Sequence, residues 1–246
     1  MTGVHYEVAG GGVPLVLLHG IGSNSRSWYR QVAGLSDEFR VVAWDAPGFG
    51  KSADPNEPAP SIGFYVAALR SLLVSLSVDA AIVVGHSFGG IVAQEFYRSY
   101  PRCVRSLILA DTTQGGAQHL EERLRMIRSM TPAELARSRA PRLLSKNAGP
   151  ELVAEAIARM SEVRGPGYEF AALAMASADT RGVLDEIDVP LQMIWGVDDE
   201  ITPVWEKWPP RAHVELIPDA GHLCYIEQPE RFNALVRCAA RRRAAV

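Results

Sequence analysis

The chain has 246 residues, enough for one domain with a full apolar core, or one domain carrying a large insertion, without disulfides or metal. Its hydrophobic share of 48% and charged share of 22% are ordinary for a soluble globular protein, and a net charge of −3 gives no electrostatic attraction to nucleic acid or a membrane surface. Three scattered cysteines, Cys103, Cys224 and Cys238, make no disulfide framework and fit a reducing compartment. The opening MTGVHYEVAGGG lacks both a basic start and an apolar h-region, and no apolar run is long enough to span a bilayer, so a cytoplasmic protein is expected. The basic close, RRRAAV, reads as a solvated helix end.

In chain order, the first strands are expected at 13–18 (VPLVLL) and 40–44 (RVVAW), followed by a helix over 61–76. A strand at 80–84 (AAIVV) leads into a helix over 88–99, and a further strand covers 104–110 (VRSLILA). The last strands fall at 190–195 (PLQMIW) and 213–217 (HVELI), before a final helix over 229–242. These strands are rich in Val, Ile and Leu with little polar alternation, the pattern of strands buried on both faces in a parallel sheet. Their alternation with helices predicts an α/β fold: an open, mostly parallel sheet with helices on both faces.

One segment interrupts the alternation. From 113 to 186 there is no strand signal, only helical patterns around 117–130, 132–139, 149–163 and 167–178. Pro132, Pro141, Gly149–Pro150 and Gly165–Pro166–Gly167 punctuate them. The expected organisation is a core of residues 1–112 and 187–246 with a helical cap, 113–186, inserted between core strands.

Gly85-His86-Ser87-Phe88-Gly89 is a G-x-S-x-G pattern lying where a strand gives way to a helix, the context that lends it meaning. A turn of this kind holds its serine in a strained conformation, and glycines two positions away avoid a collision. The helix start offers free N–H groups and a positive dipole end beside the hydroxyl. Ser87 is therefore a candidate nucleophile. The plain alternative is a glycine-rich packing joint.

A serine needs a base to remove its proton, and the base needs an acid to fix its tautomer. His222, in DAGHLCYIEQPERF, occupies a loop between the last strand and the last helix. His5 and His213 fall in strands, His119 in the cap, and His19 and His86 in the turns themselves, where a structural role is expected. Asp198 and Asp199 follow the strand PLQMIW on the same sheet edge as the serine turn, the edge where open α/β sheets bind ligands. The loop HGIGSNSRSW, 19–28, follows the first long strand; the backbone N–H of Ile21, together with that of Phe88, is expected to form an oxyanion hole. Gly50-Lys51-Ser52 looks like the end of a phosphate-binding loop, but position 45 is Asp where that motif needs Gly. No pair of His or Cys has metal-ligand spacing, and no metal is expected.

Five stretches in order, HGIGSNSRSW (19–28), DAPGFGKS (45–52), GHSFGG (85–90), WGVDDEITP (195–203) and AGHLCYIEQP (220–229), resemble the motifs of the α/β-hydrolase fold superfamily over nearly the whole chain. The family's G-x-x-D-x-x-x-P spacing, with Gly196 and Pro203 in register, selects Asp199 as the acid. The resemblance implies a Ser87–Asp199–His222 triad, a cap and no cofactor. A serine rather than an aspartate nucleophile sets the chain apart from the haloalkane dehalogenases and epoxide hydrolases of the superfamily. Compact size, LILADTTQGG (107–116), the helical cap and HLCYIEQP are most similar to 3-oxoadipate enol-lactonases and small carboxylesterases. GHSFGG departs from the usual lactonase turn. Leu223, where carbon–carbon hydrolases of ring-cleavage pathways carry Trp, weakens that alternative; a cofactor-free oxygenase and a ligand-binding receptor are the others. The expected partner is a small ester or lactone, with neither nucleic acid nor membrane. A lactonase substrate carries a carboxylate, so an arginine or lysine should face the pocket, and the cap offers Arg123, Arg125, Arg128 and others. Candidate substrate contacts are His19, Gly20, Trp28, Met126 and Arg128.

Overall fold

Seven strands line up in the order β1-β3-β2-β4-β5-β6-β7. They are β1 (Tyr6–Ala9), β2 (Val13–Leu18), β3 (Phe39–Trp44), β4 (Ala81–His86), β5 (Val104–Ala110), β6 (Leu191–Gly196) and β7 (Ala212–Ile217). β1 runs antiparallel to β3, and every other neighbouring pair is parallel. This computed structural model describes residues 3–242 apart from Pro58 and Pro203. Pro203 of the acid-loop spacing and the end of RRRAAV therefore lie outside the described residues.

Each long strand divides its side chains between two apolar layers, as a period of two requires. Val16, Leu18, Val42, Trp44, Val83, Leu107 and Leu109 face one layer, together with α2 (Ile62–Ser75) and α3 (Phe88–Ser99). Leu15, Leu17, Val41, Ala43, Ile82, Val84 and Ile108 face the other, together with α1 (Tyr29–Leu35) and α9 (Pro229–Arg241). Most of these side chains are fully buried, each worth roughly 1.5–3 kcal/mol of transfer free energy against conformational entropy. This is the expected open α/β sheet with helices on both faces.

Four helices lie between β5 and β6: α4 (Leu120–Ser129), α5 (Pro132–Arg139), α6 (Pro150–Met160) and α7 (Gly165–Ser177). Thr131 and Glu134 form a reciprocal capping box at the start of α5. α7 is held to the core at its first turn. Arg164 donates to the carbonyls of Gly50 and Ser52 and pairs with Asp54. Beside it, Gly167 meets Gly48 with no side chain between them; a Cβ on Gly167 would lie 2.0 Å from the Gly48 carbonyl oxygen. Between β7 and α9 stands the short α8 (Cys224–Glu227). Among the described residues no helix is long and apolar enough to cross a membrane.

The chain runs from β2 to β3 on one side and then returns to place β4 on the other side of β2. The carboxyl ends of β2 and β4 thus flank a topological switch point, where open α/β sheets leave a crevice.

Candidate active site

The serine turn is tighter than the sequence suggests. β4 continues through Gly85 and His86, which pair with Leu109 and Ala110, so the reversal falls on Ser87 alone. Ser87 has φ 51 and ψ −116, a conformation costing about 1–3 kcal/mol outside glycine. Its surroundings hold it there. Ser87 N–H donates to the Ala110 carbonyl (3.0 Å), and its own carbonyl accepts from Gly90 N–H (2.9 Å) and the Thr112 hydroxyl (2.6 Å). The glycines let α3 start against the sheet: a Cβ on Gly85 would lie 2.5 Å from the Gly89 carbonyl oxygen, and one on Gly89 2.2 Å from that of Leu18.

Asp199, rather than Asp198, meets the histidine. His222 Nδ1–H donates to Asp199 Oδ2 at 2.8 Å, with both residues buried. The other Asp199 oxygen accepts from the N–H groups of Ile201 (2.7 Å) and Thr202 (3.0 Å), which fixes the carboxylate. This bond commits Nδ1 and leaves Nε2 as the ring nitrogen available to take a proton. Ser87 and His222 line the same cleft. The Ser87 hydroxyl is not hydrogen-bonded to the ring in this structure; such contacts commonly tighten only when substrate binds.

Gly20 and Ile21 also line that cleft, and a Cβ on Gly20 would lie 3.2 Å from Ser87 Cβ. The loop that carries Ile21 and the turn that leads from Ser87 into Phe88 therefore meet at the switch point. His19 and His86 are buried supports. His19 Nδ1–H donates to the Gly20 carbonyl (2.8 Å), and Nε2 accepts from Ala46 N–H (3.0 Å). His86 Nε2–H donates to the carbonyl of His222 (2.7 Å), tying the two loops together. Burial first, and then the neighbouring His222, hold His86 well below the usual imidazole range, so it stays neutral.

The cleft adjoins a second hollow; Ser87, Arg123 and Ile201 border both. Four of the expected substrate contacts lie elsewhere. His19 is fully buried and spent on backbone bonds. Trp28 is fully buried, with its ring 4.1 Å from that of Tyr225. Met126 packs beneath Arg139 and against the core. Arg128 points outward and pairs with Glu169. Of that set, only Gly20 borders the cleft. The arginines that do border it include Arg123 and Arg139. The acceptors these two find are thioethers: Arg123 Nη1 reaches Met175 Sδ at 3.8 Å, Arg139 Nη1 reaches Met126 Sδ at 3.9 Å, and the buried Arg123 Nε has no partner. Burial, with Arg139 nearby, lowers the Arg123 guanidinium from its ordinary range. Arg139 escaped the sequence reading because a cation in a last helical turn also serves the helix dipole.

A sequence model described as the alpha/beta hydrolase family matches residues 15–235. The chain is 28% identical to 3-oxoadipate enol-lactonase 2 of Acinetobacter baylyi over 240 residues, covering 93% of this chain and 88% of that one. Among solved structures, a thermophilic esterase from Thermogutta terrifontis with malate bound superposes with a TM-score of 0.88 at 29% identity, covering 95% and 91% of the two chains. The enol-lactonase of Burkholderia xenovorans, 24% identical with a TM-score of 0.86 over 96% and 95%, shares the fold.

Proposed function

The chain belongs to the alpha/beta hydrolase family, and from that premise we propose that it is a serine hydrolase cleaving a small carboxylic ester or lactone through an acyl-enzyme. The observation that carries this reading is the convergence on one cleft of a strained Ser87, the Asp199-bound His222 and the loop containing Ile21. His222 Nε2 takes the Ser87 proton as the oxygen attacks the carbonyl carbon. The N–H groups of Ile21 and Phe88 receive the negative charge on the former carbonyl oxygen. His222 then gives the proton to the leaving oxygen, the C–O bond breaks, and the acyl group remains on Ser87. Water, deprotonated by the same nitrogen, releases the acid. Asp199 holds the tautomer and stabilises the imidazolium. Residues 113–186 act as a cap that supplies one wall of the site.

The test is turnover of short-chain p-nitrophenyl esters, with intact-mass analysis after a fluorophosphonate probe. One adduct and ester turnover, both lost in Ser87→Ala, support the assignment. A folded wild type with neither would refute it.

The substrate in this reading carries a free carboxylate. Arg123 and Arg139 border the cleft without a carboxylate partner among the described residues, and a partly desolvated guanidinium gains most from one. The Thermogutta esterase, crystallised with the dicarboxylate malate, is consistent with this reading. Wild type should prefer the p-nitrophenyl hemiester of glutaric acid to neutral p-nitrophenyl valerate. Arg123→Gln and Arg139→Gln should each reduce kcat/KM for the hemiester by roughly ten- to a hundredfold, the worth of a charged hydrogen bond, and spare the neutral ester. An equal fall on both esters would remove the anion from the argument.

A further inference from the structure

Asp111 stands at the end of β5, fully buried, with φ 44. Its N–H donates to the Ile194 carbonyl (3.1 Å), and Oδ1 accepts from Gly196 N–H (2.9 Å), at the point where the Asp199 loop leaves β6. Oδ2 is buried and has no hydrogen-bond partner among the described residues. The groups facing the carboxyl are the Asp199 carboxylate, from the loop after β6, and the Cys224 thiol, from α8; Glu227 lies beyond Cys224.

Two neighbouring buried carboxyls, with no cation between them, are strongly disfavoured from both being ionised. Asp199 holds the charge, because it receives two backbone N–H groups and the His222 N–H. Asp111 receives one N–H. We propose that Asp111 is a positioning residue for the His222–Asp199 pair: a carboxylic acid that keeps its proton and donates it, through Oδ2, as a hydrogen bond to the Asp199 carboxylate. The bond satisfies the orphan oxygen and adds a fourth donor to Asp199, locking its orientation. Burial, and next the Asp199 charge, push the Asp111 carboxyl well above the usual carboxylate range, in the same sense.

The role in turnover rests on the serine-hydrolase reading; the protonation state does not. Asp111→Asn retains an N–H donor and should keep kcat/KM within about threefold. Asp111→Leu, of similar size, should lose roughly ten- to a hundredfold, one hydrogen bond to a charged group. The acid limb of its pH–rate profile should move up by about half a unit or more, because an unattended Asp199 is a stronger partner for imidazolium. Folding stability gives a second readout that needs no substrate. The unfolded aspartate ionises near pH 4, whereas the folded one stays protonated, so wild-type folding takes up a proton above that pH. Stability of wild type relative to Asp111→Asn should therefore fall with rising pH, by about tenfold in the folding equilibrium per unit from about pH 4 to neutrality. Parallel stability–pH curves for wild type and Asp111→Asn would overturn the proposal, as would an Asp111→Asn enzyme as impaired as Asp111→Leu. If neither wild type nor any variant turns over esters while the stability curves diverge, the protonated Asp111 stands and the hydrolase reading fails.

Discussion

Replacing Ser87 by alanine is expected to lower ester turnover by roughly 10⁶-fold, and replacing His222 by alanine by a similar factor, because residues acting as one unit fail together. The two losses should not multiply in the double variant. The backbone reason for trusting the serine variant is local. The bonds that hold position 87 at φ 51 use its N–H and carbonyl and the Thr112 hydroxyl, none of which the substitution removes. Alanine tolerates that conformation no worse than serine, so the variant should melt near the wild type. The measurement is kcat on a saturating p-nitrophenyl ester, with enzyme purity checked by the fluorophosphonate adduct. Activity within tenfold of wild type would exclude Ser87 as the nucleophile.

Asp199→Asn is expected to cost about 10⁴-fold in kcat with little loss of fold. The Asn carbonyl can still accept from Ile201 and Thr202 N–H, the two bonds that seat the side chain. Its amide group then donates toward His222 Nδ1, which forces the ring proton onto Nε2. A nitrogen carrying that proton cannot take another from Ser87. Turnover should recover as pH rises and hydroxide replaces the missing base. A loss smaller than tenfold at neutral pH would mean that Asp199 only anchors the loop.

The strands were legible because five of them are largely buried on both faces and are therefore rich in Val, Ile and Leu; VPLVLL coincides with β2 and VRSLILA with β5. Two errors in the core have separate causes. Gly85 reads as turn punctuation, yet it is paired in β4 and is small because α3 crosses it closely. β1, four residues long and only half buried, has too weak a pattern to stand out. Ser87, His222 and an acid at 198 or 199 are readable from chain order and from the common sheet edge at which parallel strands end; the choice of Asp199 comes from the resemblance to the family's G-x-x-D-x-x-x-P spacing. The cap contacts did not follow, because they depend on helix rotation. Arg123 and Ile127, four residues apart, share the inner side of α4, while Arg128 turns out toward Glu169. Trp28 closes a polar loop beside the expected site and so reads as a substrate contact, but its ring is buried against Tyr225 and Phe232. Asp111 left a faint signal, an acid at the carboxyl end of an apolar strand, which nothing in the sequence distinguishes from a loop residue.

The bare backbone crossing of Gly48 and Gly167 has a meaning for descent as well as for packing. A helix that rests on the core through side chains must be re-fitted whenever either partner drifts. α7 also buries Tyr168, Ala171 and Ala174 in the core, but at this crossing main chain meets main chain, and no neighbouring side chain can adjust to an added one. A side chain gained at position 48 or 167 would therefore lift the first turn of α7 from the core, and with it α4, which packs on α7.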